Sequence, residues 1–240
     1  AVVYSSSAQL DELYTTAIRA AAVDDGEDNM DIVLQCLGLV VATTTRKPWS
    51  VPSLSKLLAG RISEYTLGHV ILGLSSVLFI DHKRDNAVRV SHPSFIDYIT
   101  NRTRSKELSV DLDEQDAILA CCCLETMTRE LRFNMCDLET SQLRNREVPN
   151  LDTRVQDAIS PHLGYSCIYW TGHLVKIPVG GLDTSLRAFL FGRESLYWIE
   201  ALRLLGKLGV APPSLLELSR TTVSILLDDR QEEGPGSLLV

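Results

Sequence analysis

Apolar residues recur at helical spacing along most of this chain, and at one place they alternate instead. Leu10, Leu13, Tyr14, Ala17 and Ile18 fall on one side of a helix over 10–22, for which Ser7 is the natural cap. Ile32, Val33, Cys36, Leu37 and Val40 do the same over 30–43, after the acidic run Asp24 to Asp28, which reads as a solvated loop. Leu54, Leu57 and Leu58 mark a short helix opened by Ser50 or Val51 with Pro52 in its first turn, and Gly60 ends it. A third helix over 63–74 leads into Val77 to Ile80, an apolar, β-branched and aromatic run. His82 to Asn86 is a polar turn, and Val88 and Val90 alternate with Arg89 and Ser91 on the return strand of a hairpin with one buried face. Pro93 fits a first helical position, and Phe95, Tyr98 and Ile99 share a helix face, so His92 sits where strand becomes helix.

The charged stretch Arg102 to Asp113 predicts a boundary, and the chain beyond it is helical. A long helix over 115–133 carries Ile118, Leu119, Cys122, Leu124, Met127 and Leu131 on more than one face. Asp137 to Asn150 is a polar linker ending in Pro149; helices come next over 152–159 and from Ser160-Pro161, where Leu163, Cys167, Trp170 and Leu174 share a face. A loop at Pro178 to Gly181, helices over 185–191, 194–208 and 214–227, and a polar tail complete the pattern. The expected architecture is mainly α. Three helices and a β-hairpin wing have the order of a winged helix, and a helical bundle or short α-solenoid comes after it. The expected domains are an amino-terminal helix plus winged helix over 1–105, a helical domain over 106–228 and a tail over 229–240. No internal repeat stands out.

Composition narrows the function. Lys and Arg number 23 against 31 Asp and Glu, a net charge of -8, which opposes a broad phosphate-binding surface on nucleic acid or on an anionic membrane. Residues 63–75, the helix that would enter a DNA groove, contain neither Lys nor Arg, and Lys83, Arg84 and Arg89 on the wing are too few to bind duplex well. DNA binding is therefore a minor alternative. No apolar stretch approaches the roughly 20 residues of a membrane span, and no signal core opens the chain, so a cytoplasmic protein is expected. Six cysteines, three of them consecutive at Cys121 to Cys123, make no disulfide framework and read as reduced, packed thiols. The chain starts at Ala1 without Met, as the inside of a longer protein would.

Candidate chemistry is sparse. No GxxxxGK followed by Ser or Thr is present, and Leu78 to Asp81 is a hairpin strand rather than an acidic Mg-binding one, so the chain is not expected to be an NTP-hydrolysing enzyme. His162, Cys167 and His173 are metal-ligand types, but their spacing puts successive side chains on different helix sides, and no metal is expected. The cysteines show no sequence sign of a reactive thiol with a positioned base. Asp24 to Asp28 lacks the ligand spacing of a calcium loop.

His92-Pro93-Ser94-Phe95-Ile96-Asp97-Tyr98 resembles the end of the winged-helix domain of NACHT-type signalling NTPases, the fungal members with WD repeats above all. Leu10-Asp11-Glu12-Leu13-Tyr14 is similar to the segment after the NTPase core in that family. LRFNMCDL, NREVPNLDTRV, LGYSCIYWTGHL and ESLYWIEALRLLGKL, all between Leu131 and Leu208, resemble its helical region before the WD repeats. The resemblance covers most of residues 8–210. It implies a non-catalytic regulatory module of a STAND, or NLR-like, NTPase, with His92 touching the phosphates of ADP held by an upstream NTPase domain. ADP or ATP would be met only through that domain. The implied partners are the upstream NTPase, a downstream WD-repeat domain and further copies of the protein. On residues alone, His92 caps a helix or packs in the hairpin. The rival reading is a stand-alone helical interaction module that binds through exposed Tyr165, Tyr169, Trp170 and Trp198.

Overall fold

The computed structural model describes residues 2–24, 27–140, 143–174, 183–216 and 218–219. The loop expected at Pro178 to Gly181, most of the helix expected over 214–227 and the tail lie outside them. The described chain is mainly helical. It forms two compact units, Ala1–Cys122 and Cys123–Val240.

In the first unit α1 spans Val2–Ala22, so Ser7 lies inside the helix instead of capping it. Neither Gly nor Pro interrupts Val2 to Leu10, and Ser disfavours a helix interior only mildly. The buried stripe of α1 is Tyr14, Ile18 and Ala22, at i, i+4 and i+8, whereas Leu13 is 65% exposed. Two-residue strands β1 (Val23–Asp24) and β2 (Glu27–Asp28) pair antiparallel where a loop was expected. Helix α2 (Met30–Thr44) is buried from Cys36 to Thr43 around its whole circumference, while Ile32, nearer its start, is exposed. Ser50 caps α3 (Val51–Leu57), its Oγ accepting from the Ser53 N–H, and Ser63 caps α4 (Glu64–Gly73) with the Thr66 N–H at 3.0 Å. Leu54, Leu57 and Leu58 are buried, and Gly60 at φ +83° takes the left-handed turn after them.

Strands β3 (Leu78–Asp81) and β4 (Ala87–Val90) pair antiparallel with Leu78 opposite Val90 and Ile80 opposite Val88. Leu78 and Val88 are buried on the face these pairs share; Phe79, on the other, is exposed. The Val88 N–H donates to the Trp49 carbonyl at 2.7 Å, which ties the chain before α3 to the hairpin. Helix α5 (Pro93–Ile99) buries Phe95, Tyr98 and Ile99 completely. Asn101 caps α6 (Arg102–Ser105), and Asp111 caps α7 (Leu112–Glu130) through the N–H groups of Asp113 and Glu114. The polar stretch Arg102 to Asp113 belongs to the first unit: Leu108 and Val110 are buried there and the Val110 N–H donates to the Ile99 carbonyl. Charge along that stretch masks two anchors. Arg46 grips the buried Asp116 with both terminal nitrogens, at 3.1 and 3.3 Å.

The second unit takes the end of α7, then α8 (Leu151–Ala158), α9 (Pro161–Leu174), α10 (Asp183–Phe191) and α11 (Glu194–Leu204). Helix α7 ends at Glu130, short of Phe133, and left-handed Asn134 turns the chain. Helix α11 stops at Leu204 because Gly206, at φ +67°, closes it: the Lys207 N–H reaches back to the Leu202 carbonyl at 2.7 Å. The α9 face of Leu163, Cys167, Trp170 and Leu174 is buried as the spacing predicts. Trp170, Phe189 and Trp198 meet edge to face with centroids 5.2 to 6.4 Å apart. All six cysteines are free thiols, and Cys122 and Cys123 are fully buried in α7.

Candidate functional site

His92 is the residue on which the sequence concentrates, and the structure gives it a defined setting. It is exposed, at the turn from β4 into α5, and it caps that helix: Nδ1 accepts from the Ser94 N–H at 3.1 Å. Pro93 at the first helical position has no N–H, so Ser94 carries the first donor that needs an acceptor. Nδ1 also lies 2.7 Å from Ser94 Oγ, and Ser94 Oγ lies 2.8 Å from the Tyr14 hydroxyl on α1. Because Nδ1 accepts, the ring proton is on Nε2. Nε2 has no hydrogen-bond partner among the described residues. Of the two alternatives on residues alone, a helix cap or packing in the hairpin, His92 is the cap, and it stays exposed.

Beside the ring runs a groove of about 640 Å³, walled by Leu10, Leu13 and Ala17 of α1 on one side and by Val77, His92 and Phe95 on the other. Its lining is apolar, and Leu13 stays exposed because it forms the rim.

Helix α1 is held there by the segment Leu10 to Tyr14. Asp11 receives two hydrogen bonds from Arg104, from Nε at 3.0 Å and Nη2 at 2.5 Å. The Arg104 guanidinium in turn lies 5.9 Å from the centre of the Tyr98 ring, whose hydroxyl bonds Thr15 Oγ1 at 2.7 Å. Tyr14 meets Phe95 edge to face at 5.1 Å. Two motifs far apart in the chain thus form one contact, and Ser94, Thr15 and Arg104 are the residues that sequence reasoning did not single out. The only signal for Ser94 was its place two residues after a cap.

The other candidates fall elsewhere. His162 lies 3.1 Å from Glu130 and 3.2 Å from Ser160. His173 is fully buried with its Nε2 2.9 Å from the Tyr165 hydroxyl. Cys167 is enclosed, and burial pushes its thiol up to about 12, as it does for Cys36. Among the described residues no group of three or more His, Cys, Asp or Glu side chains is placed to hold a metal ion.

Tyr165, Trp170 and Trp198 are buried and Tyr169 is half-buried, so these rings are core and do not form an exposed docking surface. The Trp198 indole N–H donates to the Cys167 carbonyl at 2.8 Å, which satisfies its one polar atom inside. The outer face of α4 presents Glu64, Tyr65, His69 and Leu72, with no cation, and on the hairpin Arg84 and Arg89 are paired with Asp81 and Asp85.

No protein-family profile, curated protein or solved structure matches the chain. Among the described residues no helix is long and apolar enough to cross a membrane.

Proposed function

We propose that this chain is a non-catalytic regulatory and interaction module of a NACHT-type signal-transduction NTPase. In this reading α2, α3 and α4 with the β3–β4 wing are a winged helix, and the helices after it are a bundle or short α-solenoid. The observation that carries the proposal is His92 itself, exposed at the edge of the groove, with Nδ1 engaged by Ser94 and Nε2 without a hydrogen-bond partner among the described residues. A single N–H donor fixed in direction suits a phosphate oxygen of a nucleotide bound to another domain.

The NTPase domain would supply ADP and ATP, and this module would close over the ADP form. Contact with His92 exists only in that closed form, so nucleotide exchange shifts the population toward the open one. The later helices would carry the movement to a WD-repeat sensor, with oligomerisation as output in the cytoplasm.

The test is ADP release from the protein that joins this chain to its NTPase core. His92→Ala is expected to speed release about tenfold, the effect of one hydrogen bond to a charged group. An unchanged rate overturns the proposal.

A further inference from the structure

The direction of every hydrogen bond at the His92 junction is set by a single backbone group. The Ser94 N–H can only donate, so His92 Nδ1 carries a lone pair rather than a proton. Ser94 Oγ, 2.7 Å from the same nitrogen, must then spend its hydrogen on Nδ1. With that hydrogen used, Ser94 Oγ is an acceptor toward Tyr14, and the Tyr14 hydroxyl, 2.8 Å away, is the donor. The chain runs one way: Tyr14 to Ser94 to His92.

We propose that Tyr14, acting through Ser94, is a positioning residue that reinforces the lone pair the Ser94 N–H requires on Nδ1 and so helps hold the His92 proton on Nε2. Helix α1, when seated on α5, thereby strengthens His92 as an N–H donor at the edge of the groove. The biological use of this relay rests on the reading of His92 as a phosphate contact; the relay itself does not. Each link is physically reinforced. Tyr14 is buried, its ring packed against the Phe95 and Tyr98 rings at 5.1 and 5.4 Å. The Asp11–Arg104 pair and the Thr15–Tyr98 bond hold α1 on either side of it. A hydroxyl that receives a hydrogen bond donates a stronger one, so the Tyr14 donor strengthens the Ser94 bond to Nδ1. When α1 leaves, the Ser94 hydroxyl loses its donor and is free to turn. It can then accept from a proton on Nδ1, and the Ser94 N–H alone is left to hold the His92 proton on Nε2. Helix α1 and the state of the ring are in this way coupled through two hydrogen bonds.

The test is the long-range proton–nitrogen NMR spectrum of the full chain with labelled histidine, at alkaline pH where each imidazole is neutral. The His92 signals are assigned by their loss in His92→Asn. Wild type is expected to show the proton on Nε2. Tyr14→Phe, which keeps the ring packing, and Ser94→Ala, at a half-exposed position, are each expected to raise the share protonated at Nδ1 about fivefold, the ratio set by one hydrogen bond of ordinary net strength. Ser94→Thr restores the hydroxyl and the wild-type spectrum. A wild-type ring protonated at Nδ1 overturns the relay. So does a wild-type proton ratio in both Tyr14→Phe and Ser94→Ala, with thermal melts showing the variants folded. Because no nucleotide is present, failure here is distinct from failure of the ADP-release test.

Discussion

Replacing His92 in two ways separates its two roles. In His92→Ala the Ser94 N–H loses its acceptor, while the Phe95 N–H keeps the His92 carbonyl at 3.0 Å. The amide and the hydroxyl of Ser94 both lose the acceptor they share, but both are half-exposed and water can reach them, which puts the cost toward the low end of the capping range, about 0.5–1 kcal/mol. In a unit of this size that is a fall of about 3 °C in melting temperature. His92→Asn keeps an oxygen acceptor at the cap and is expected to stay within roughly a few tenths of a kcal/mol of wild type. ADP retention sorts the same variants differently. Asn and Ala both remove the imidazole N–H, so both release ADP faster to a similar degree. Urea unfolding and nucleotide release measured on one set of proteins make the comparison. An asparagine variant destabilised as much as the alanine variant refutes the capping account; one that retains ADP like wild type refutes the contact account.

Gly38→Ala is expected to destabilise the first unit by about 1 kcal/mol, since overpacking costs about 1–3 kcal/mol and the better helix propensity of Ala returns about 1. The new methyl would stand 2.8 Å from both Val110 Cγ1 and Gln115 Cγ. The Gln115 carbonyl oxygen has no hydrogen-bond partner among the described residues, so Gln115→Ala in the same chain should relieve part of the loss in a denaturant titration. A more stable Gly38→Ala would mean the contact does not exist. For Glu130, burial raises the carboxyl pKa, but hydrogen bonds and charge from Arg129 and His162 outweigh it and hold the group below its usual 4.5. A depressed carboxylate stabilises the fold above that value, and the contribution is lost as pH falls through the lower folded value. Wild type should therefore exceed Glu130→Gln in stability near neutrality and lose that advantage in acid; a difference that stays constant with pH would sink this account.

Local signals were legible where one side-chain pattern and one cap agree. Ser50 and His92 each precede a helix whose apolar spacing matches its buried face, and the hairpin turn is bounded by the residues that mark it. What escaped is tertiary. Leu13 shares the spacing of Tyr14 but rims a groove, and nothing in its neighbours distinguishes the two. The polar run Arg102 to Asp113 looks like a linker because its two buried anchors, Leu108 and Val110, are too few to show a period. At the candidate site, His92 was visible through the turn around it. Tyr14 was not visible as its neighbour, nor Arg104 as the partner of Asp11, since sequence spacing carries no information about which helix lies against which.

Where α1 approaches α4, a side chain on Gly73 would come within 3.2 Å of the Ala21 methyl. Successive helix residues are about 100° apart, so only Ala21 can meet that glycine without turning the buried stripe of Tyr14, Ile18 and Ala22 out of the core. The missing side chain at Gly73 sets how near α1 can come, while the apolar stripe and the polar partners of Asp11 and Tyr14 set its angle. A larger residue at Gly73 would hold the helix off without changing which face it presents.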